Sequence, residues 1–133
     1  MGSPVKADMK FPIIATKDIG NYAAKRLLAL DFNGHNTHDL LGSRDVSYPE
    51  IAAVYGKKIG KPDLQYMEFP YSEFKKAMMQ QMGASENVGD SFNEFIKAMN
   101  EGKIMSEAKR DAESTTPTTI EEFAEVFKYV YNM

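Results

Sequence analysis

Apolar positions recur along the chain at two spacings, which together predict five helices and about three short strands. Phe11 to Ala15 is an apolar run of the length and composition of a buried strand. It passes without a real loop into a segment where Ile19, Tyr22, Ala23, Leu27 and Leu30 recur at helical spacing and make one apolar face. Thr16 offers a hydroxyl where a helix N-cap is wanted, and Asp18 puts a carboxylate in the first turn, where the helix dipole favours it. Asp31 to Gly34 is a turn cluster, Thr37 to Leu41 a candidate second strand, and Gly42 to Val46 a polar loop. Ser47 stands three residues before Glu50, the spacing of a capping box, with Pro49 tolerated in the first turn. The helix opened there buries Ile51, Val54, Tyr55 and Ile59, and Gly60 with Pro62 stops it.

Leu64 to Phe69 reads as a third short strand whose alternation slips between Tyr66 and Met67, and Pro70 closes it. Phe74, Ala77, Met78 and Met82 mark a helix ended by Gly83. Ser85 caps the next, with Val88, Phe92, Phe95, Ile96 and Met99 as its stripe. Lys103 to Thr116 is a polar loop, and Thr118 with Glu121 has capping-box spacing before a last helix. That helix carries Ile120, Phe123, Ala124, Phe127, Val130 and Tyr131 on a wide apolar face, while Met1 to Lys10 is an irregular lead-in. The fold class is α/β to α+β, a helix-rich lobe with a small remnant of parallel sheet. A sheet this small cannot cover both faces of a doubly wound architecture by itself.

Size and charge narrow the classes of function. The 133 residues fit one domain, 1–133, with room for a real core. With 16 basic and 19 acidic side chains the net charge is -3, which provides no global field for nucleic acid or an anionic membrane. No apolar run approaches the roughly eighteen residues of a membrane span. The N-terminus lacks the order of a signal peptide, and Lys6 stands where a myristoylation signal wants Ser or Thr. The absence of cysteine excludes disulfides, thiol catalysis and Cys-ligated zinc. The expected address is the cytoplasm.

Candidate chemistry is sparse. In YGKKIGKP the glycines Gly56 and Gly60 are one residue too close for a P-loop, and Pro62 replaces the Ser or Thr that would hold magnesium, so the stretch reads as a helix end. No glycine-rich turn follows an apolar run, so the chain carries no dinucleotide-binding turn of its own. Tyr71 and Lys75 have the one-turn spacing that lets a lysine assist a tyrosine in proton transfer, a spacing many helices contain by chance. His35 and His38 with Asp31 and Asp39 invite a metal reading, but turn residues beside a partly exposed strand explain them better. Met78, Met79 and Met82 suit an adaptable apolar pocket and, more simply, a helix core. Lys57, Lys58 and Lys61 read as a solvated helix end. No serine sits in a nucleophile elbow.

Taken together, three blocks resemble the NmrA-like branch of the atypical short-chain dehydrogenase/reductases. PIIATKDIGNYAAKRLL is similar to the segment that begins the shared C-terminal half of those proteins. Gly42, Ser47, Glu50, Ile51, Ala52, Gly60, Lys61 and Pro62 match a following block, and TTPTTIEEFAE is similar to the family's closing motif. The resemblance runs from about Gly2 to Val130. It implies an NAD(P)H-dependent oxidoreductase acting on quinones or other small carbonyl compounds, or a redox-sensing regulator that works by protein contacts. Family members begin with a glycine-rich βαβ half that this sequence does not contain. The expectation is therefore a substrate-binding portion that is not catalytically complete and binds no cofactor alone. Expected substrate contacts are Phe11, Pro12 and Ile13 at the strand, with Met67, Phe69, Phe74 and Met78 from the lobe. Self-association through an exposed Phe11–Ala15 strand is expected as well.

Overall fold

The structure, a computed structural model, describes residues 1–104 and 108–133. Five helices carry it: α1 (Thr16–Ala29), α2 (Tyr48–Lys58), α3 (Tyr71–Met82), α4 (Glu86–Asn100) and α5 (Ile120–Tyr131). Four two-residue strands accompany them: β1 (Gly2–Ser3), β2 (Phe11–Pro12), β3 (Asp45–Val46) and β4 (Met67–Glu68). β1 pairs with β4 in parallel, and β2 pairs with β3 antiparallel. The molecule is thus the helix-rich α/β lobe expected, with β1–β4 as its parallel strand pair.

Local chemistry accounts for most helix ends. The Ser47–Glu50 capping box forms as the spacing predicts, and the Ser85 side chain accepts from the Val88 N–H. Gly60 and Gly83 adopt φ of 76° and 66°, the left-handed conformation that closes α2 and α3. Two caps differ from expectation. Ala15 occupies the N-cap of α1 with no side-chain bond, so Thr16 is the first helical residue. Thr119 and Glu122, one residue later than expected, form the capping box of α5.

The strands differ too. The segment Thr37 to Leu41 is not a strand: Thr37, His38 and Asp39 are exposed, and only Leu41 makes a single parallel bridge, to Thr115. A strand with no neighbour along its length has no ladder to join. The lead-in is not irregular throughout, because β1 joins β4 and the Tyr66 hydroxyl donates to the Val5 carbonyl at 2.6 Å. Of the polar loop Lys103 to Thr116, residues 105–107 lie outside the described residues. The remainder is tied down where Arg110 bonds the Gly42 carbonyl and Asp45, and where Asp111 accepts from the Glu113 and Ser114 N–H groups at 2.9 and 2.7 Å.

Packing comes in two helix pairs, α2 with α5 and α3 with α4. Between α2 and α5 lies the core cluster of Val46, Ile51 and Ile120, with Phe11, Ile13, Tyr48, Val54 and Tyr55 packed on it. Rings extend it, Tyr55 stacking on Phe127 at 4.4 Å between centroids. The Lys58–Glu125 ion pair joins the same two helices at the rim, and Lys61, just past the end of α2, bonds Tyr131 of α5 at 2.6 Å. The face read as apolar on α1 is different: Ile19, Leu27 and Leu30 of that face are exposed, as is Leu28 beside it, and Asp18 is the helix's one buried residue. On α4, Val88, Phe92 and Phe95 are exposed as well, while Ile96 is buried.

Gly42 sets how closely the loop before β3 approaches the strand leading to α1. A Cβ built there would fall 1.5 Å from the Ile13 carbonyl oxygen, which is backbone and cannot move aside. Gly42→Ala is expected to lower the unfolding free energy by roughly 3 kcal/mol. Gly20→Ala, in α1 with nothing within 4 Å of the new Cβ, is expected to raise it by up to about 1 kcal/mol. Urea denaturation of the two variants checks this, and equal shifts would show that the approach at Gly42 is not tight.

Candidate functional site

A cavity of about 200 Å³ lies where β2 leads into α1, beside α2 and the entry to α5. Ile13, Ile14, Val46, Tyr55, Ile120 and Phe123 supply its apolar lining, and Thr16, Ser43, Arg44, Thr118 and Thr119 its polar lining. A wider, more open cleft of about 710 Å³ shares Ala15, Thr16, Thr118 and Phe123 with it and continues along Lys17, Asp18, Asn21, Glu122 and Val126.

Asp18 holds this region together. Its carboxylate, 4% exposed, accepts from the Thr118 N–H at 3.0 Å and from the Thr118 hydroxyl at 2.8 Å. Burial alone would raise its pKa, but the two Thr118 bonds favour the anion and the net effect is a carboxyl held below its ordinary value. With Thr118 so engaged, Thr119 is left to cap α5, accepting from the Glu122 N–H at 3.1 Å.

Arg44 closes another side. Its guanidinium donates to Glu50 at 3.2 Å and to Glu121 at 2.9 Å, bridging the first turns of α2 and α5. Glu50 also accepts from the Ser47 N–H at 2.8 Å, the foremost reason its pKa is lowered. Arg44 itself is the foremost reason for the lowered pKa of Glu121. Two carboxylates therefore answer one guanidinium.

The expected substrate contacts fall in two places. Ile13 lines the cavity, and Phe11 and Pro12 form β2 directly before it. Met67 is exposed on β4, Met78 is buried on α3, and the rings of Phe69 and Phe74 lie 6.5 Å apart. Phe69 faces a separate shallow hollow with Tyr71 and Asn100. Between the two groups runs a chain of rings, Phe11 to Tyr48 and Tyr48 to Tyr66, each 5.1 Å between centroids. Thr16, Ser43, Arg44 and Thr118 were missed as lining residues because they read as loop and cap, while Tyr55 and Phe123 read as helix core. Apolar spacing does not distinguish a core face from a cavity wall.

The remaining motifs are structural. The Tyr71 hydroxyl accepts from Asn100 at 2.7 Å, whereas Lys75 bonds Glu86 at 2.9 Å and Asp90 at 2.7 Å, so tyrosine and lysine serve different partners. His38 stacks on Tyr22 at 4.8 Å. Among the described residues no three His, Asp or Glu side chains are grouped to hold a metal ion. No helix among them is long and apolar enough to cross a membrane.

The sequence model of the NmrA-like family matches residues 1–124, nearly the whole of this arrangement. The chain belongs to the NmrA-like family. No curated protein and no solved structure matches it. The NmrA-like family is of the NAD(P)-binding oxidoreductase type, which raises the question of where a dinucleotide would sit. A pyrophosphate needs a glycine-bearing turn whose backbone amides open toward it at a helix N-terminus. The β2–α1 junction of this NmrA-like chain has no glycine from Phe11 to Ile19, and it places the Asp18 carboxylate in the first helical turn. That junction does not fit dinucleotide phosphates.

The Asp18–Thr118 contact has a pH signature. A carboxylate whose folded pKa is depressed contributes stability that is full above its unfolded value, near 3.9, and is lost as pH falls through the folded value. Asp18→Asn is expected to cost about 2 kcal/mol at pH 7. The gap between variant and parent should narrow below about pH 4. Urea melts at pH 7 and pH 3 measure both; a gap of the same size at the two pH values would show that the ionised carboxylate is not its source.

Proposed function

We propose that this chain is the substrate-side portion of an NmrA-like NAD(P)-dependent oxidoreductase that acts on quinones or other small carbonyl compounds. In this reading the dinucleotide comes with a glycine-rich βαβ half, in cis or in trans, and the cavity beside Ile13 receives the substrate. The observation that carries it is the cavity: about 200 Å³, apolar on most sides, with the hydroxyl-bearing Thr16, Ser43 and Thr119 among its lining residues. Pockets for drug-sized ligands run to about 300–1,000 Å³, so this one suits a single small ring. The exposed face of α1 supports the second part, since Leu28 and Leu30 are 85% and 78% exposed on a helix that leads directly from a strand. A neighbouring α/β unit covers such a face.

A second reading, a non-enzymatic module working through protein contacts, draws on the exposed Val88, Phe92 and Phe95 of α4. Titration with NADPH and NADH should show no micromolar binding by the chain alone, and micromolar binding would sink the substrate-side reading. Quinone reduction should appear only when a dinucleotide-binding half is added; persistent silence then favours the module. Without such a half bound, residues 11–15 and the face of α1 offer an edge and a surface that a second copy covers. Sedimentation velocity should show concentration-dependent association, and a monomer at all concentrations would count against it.

A further inference from the structure

We propose that Tyr55 is the hydrogen-bond donor that orients a neutral, carbonyl-bearing ring in this cavity, an inference that rests on the cavity's being a ligand site. Tyr55 belongs to the cavity lining and to the α2–α5 core at once. Its ring is fixed by stacking on Phe127 at 4.4 Å and by a tilted contact with Phe123 at 6.5 Å. Its hydroxyl bonds no described residue. Nor is that oxygen sealed in: among the described residues the fully enclosed side-chain polar atom without a partner is Asn93 Oδ1. A half-buried tyrosine ordinarily finds a partner for its polar tip, and on a residue that lines the cavity an entering acceptor can be that partner. Burial also pushes the phenol pKa up, which keeps the proton on the oxygen at neutral pH and makes it a donor.

The charge of the ligand follows from Arg44. Among the described residues it is the one charged residue of the lining, and Glu50 and Glu121 already occupy its guanidinium. An entering carboxylate or phosphate would meet a cation that is already compensated and two carboxylates behind it, so it would lose its hydration without a counter-charge. A neutral acceptor oxygen needs only a hydroxyl donor, which Tyr55 provides.

Three probes of similar size test this by ligand-observed NMR titration at pH 7: acetophenone, benzoate and toluene, each with the full chain and with Tyr55→Phe. Acetophenone should bind at least tenfold more tightly than benzoate. Tyr55→Phe should weaken acetophenone roughly tenfold, the worth of one hydrogen bond, and leave toluene unchanged. The substitution keeps the ring, and an unchanged melting temperature confirms that packing is intact. If acetophenone binds both proteins alike, the role of Tyr55 is overturned while the cavity stands as a ligand site. Benzoate binding as tightly as acetophenone overturns the preference for a neutral ligand. If none of the three binds, the cavity is not a ligand site and the substrate reading falls with it.

Discussion

The contact on which the rest depends is the pair of hydrogen bonds from Thr118 to the buried Asp18 carboxylate. It joins the start of α1 to the approach of α5, a hundred residues apart in sequence. Charge-assisted bonds of this kind are stronger than neutral ones, and an anion in a first helical turn is also favoured by the helix dipole. Because α1 buries nothing else, this carboxylate is its main anchor to the lobe. The same contact keeps Ile14 to Thr16 facing Thr118 to Ile120, so two walls of the cavity are held by one side chain.

The packing is uneven in a way that bears on function. The α2–α5 pair has an aliphatic cluster, stacked rings and a rim ion pair, and the cavity lies against it. The α3–α4 pair buries Met78 and Ile96 but leaves much of its apolar surface outside. The cavity therefore lies against the pair whose side chains are better held by their neighbours. The faces of α1 and α4 leave Leu27, Leu28, Val88, Phe92 and Phe95 exposed, and burial there would add to a fold whose own core is small.

The charge pattern around the cavity is economical. Glu50 caps α2, Glu121 lies in the first turn of α5, and Arg44 reaches both. Each acid suits its helix dipole, and the shared guanidinium relieves their mutual repulsion while tying the two helix starts together. The result is a cavity edge at which the Arg44 guanidinium is electrically compensated.

What could be read from the sequence was local. The Ser47–Glu50 box, the Ser85 cap and the glycine stops at Gly60 and Gly83 depend on neighbours within a turn, so their spacing is sufficient. The number of helices and the family motifs followed from the same short-range patterns. Tertiary contacts decided the rest. Thr118 and Thr119 both have a glutamate three residues on, and spacing alone does not choose between them; Asp18 does, by engaging Thr118 and leaving Thr119 as the cap. The partner of Gly2–Ser3 lies more than sixty residues away, and Thr37 to Leu41 fails as a strand for want of one. The cavity is the sharpest case. Ile13, Tyr55 and Phe123 have the spacing of core residues, and whether an apolar side chain meets another side chain or an empty space is settled only when distant segments are brought together.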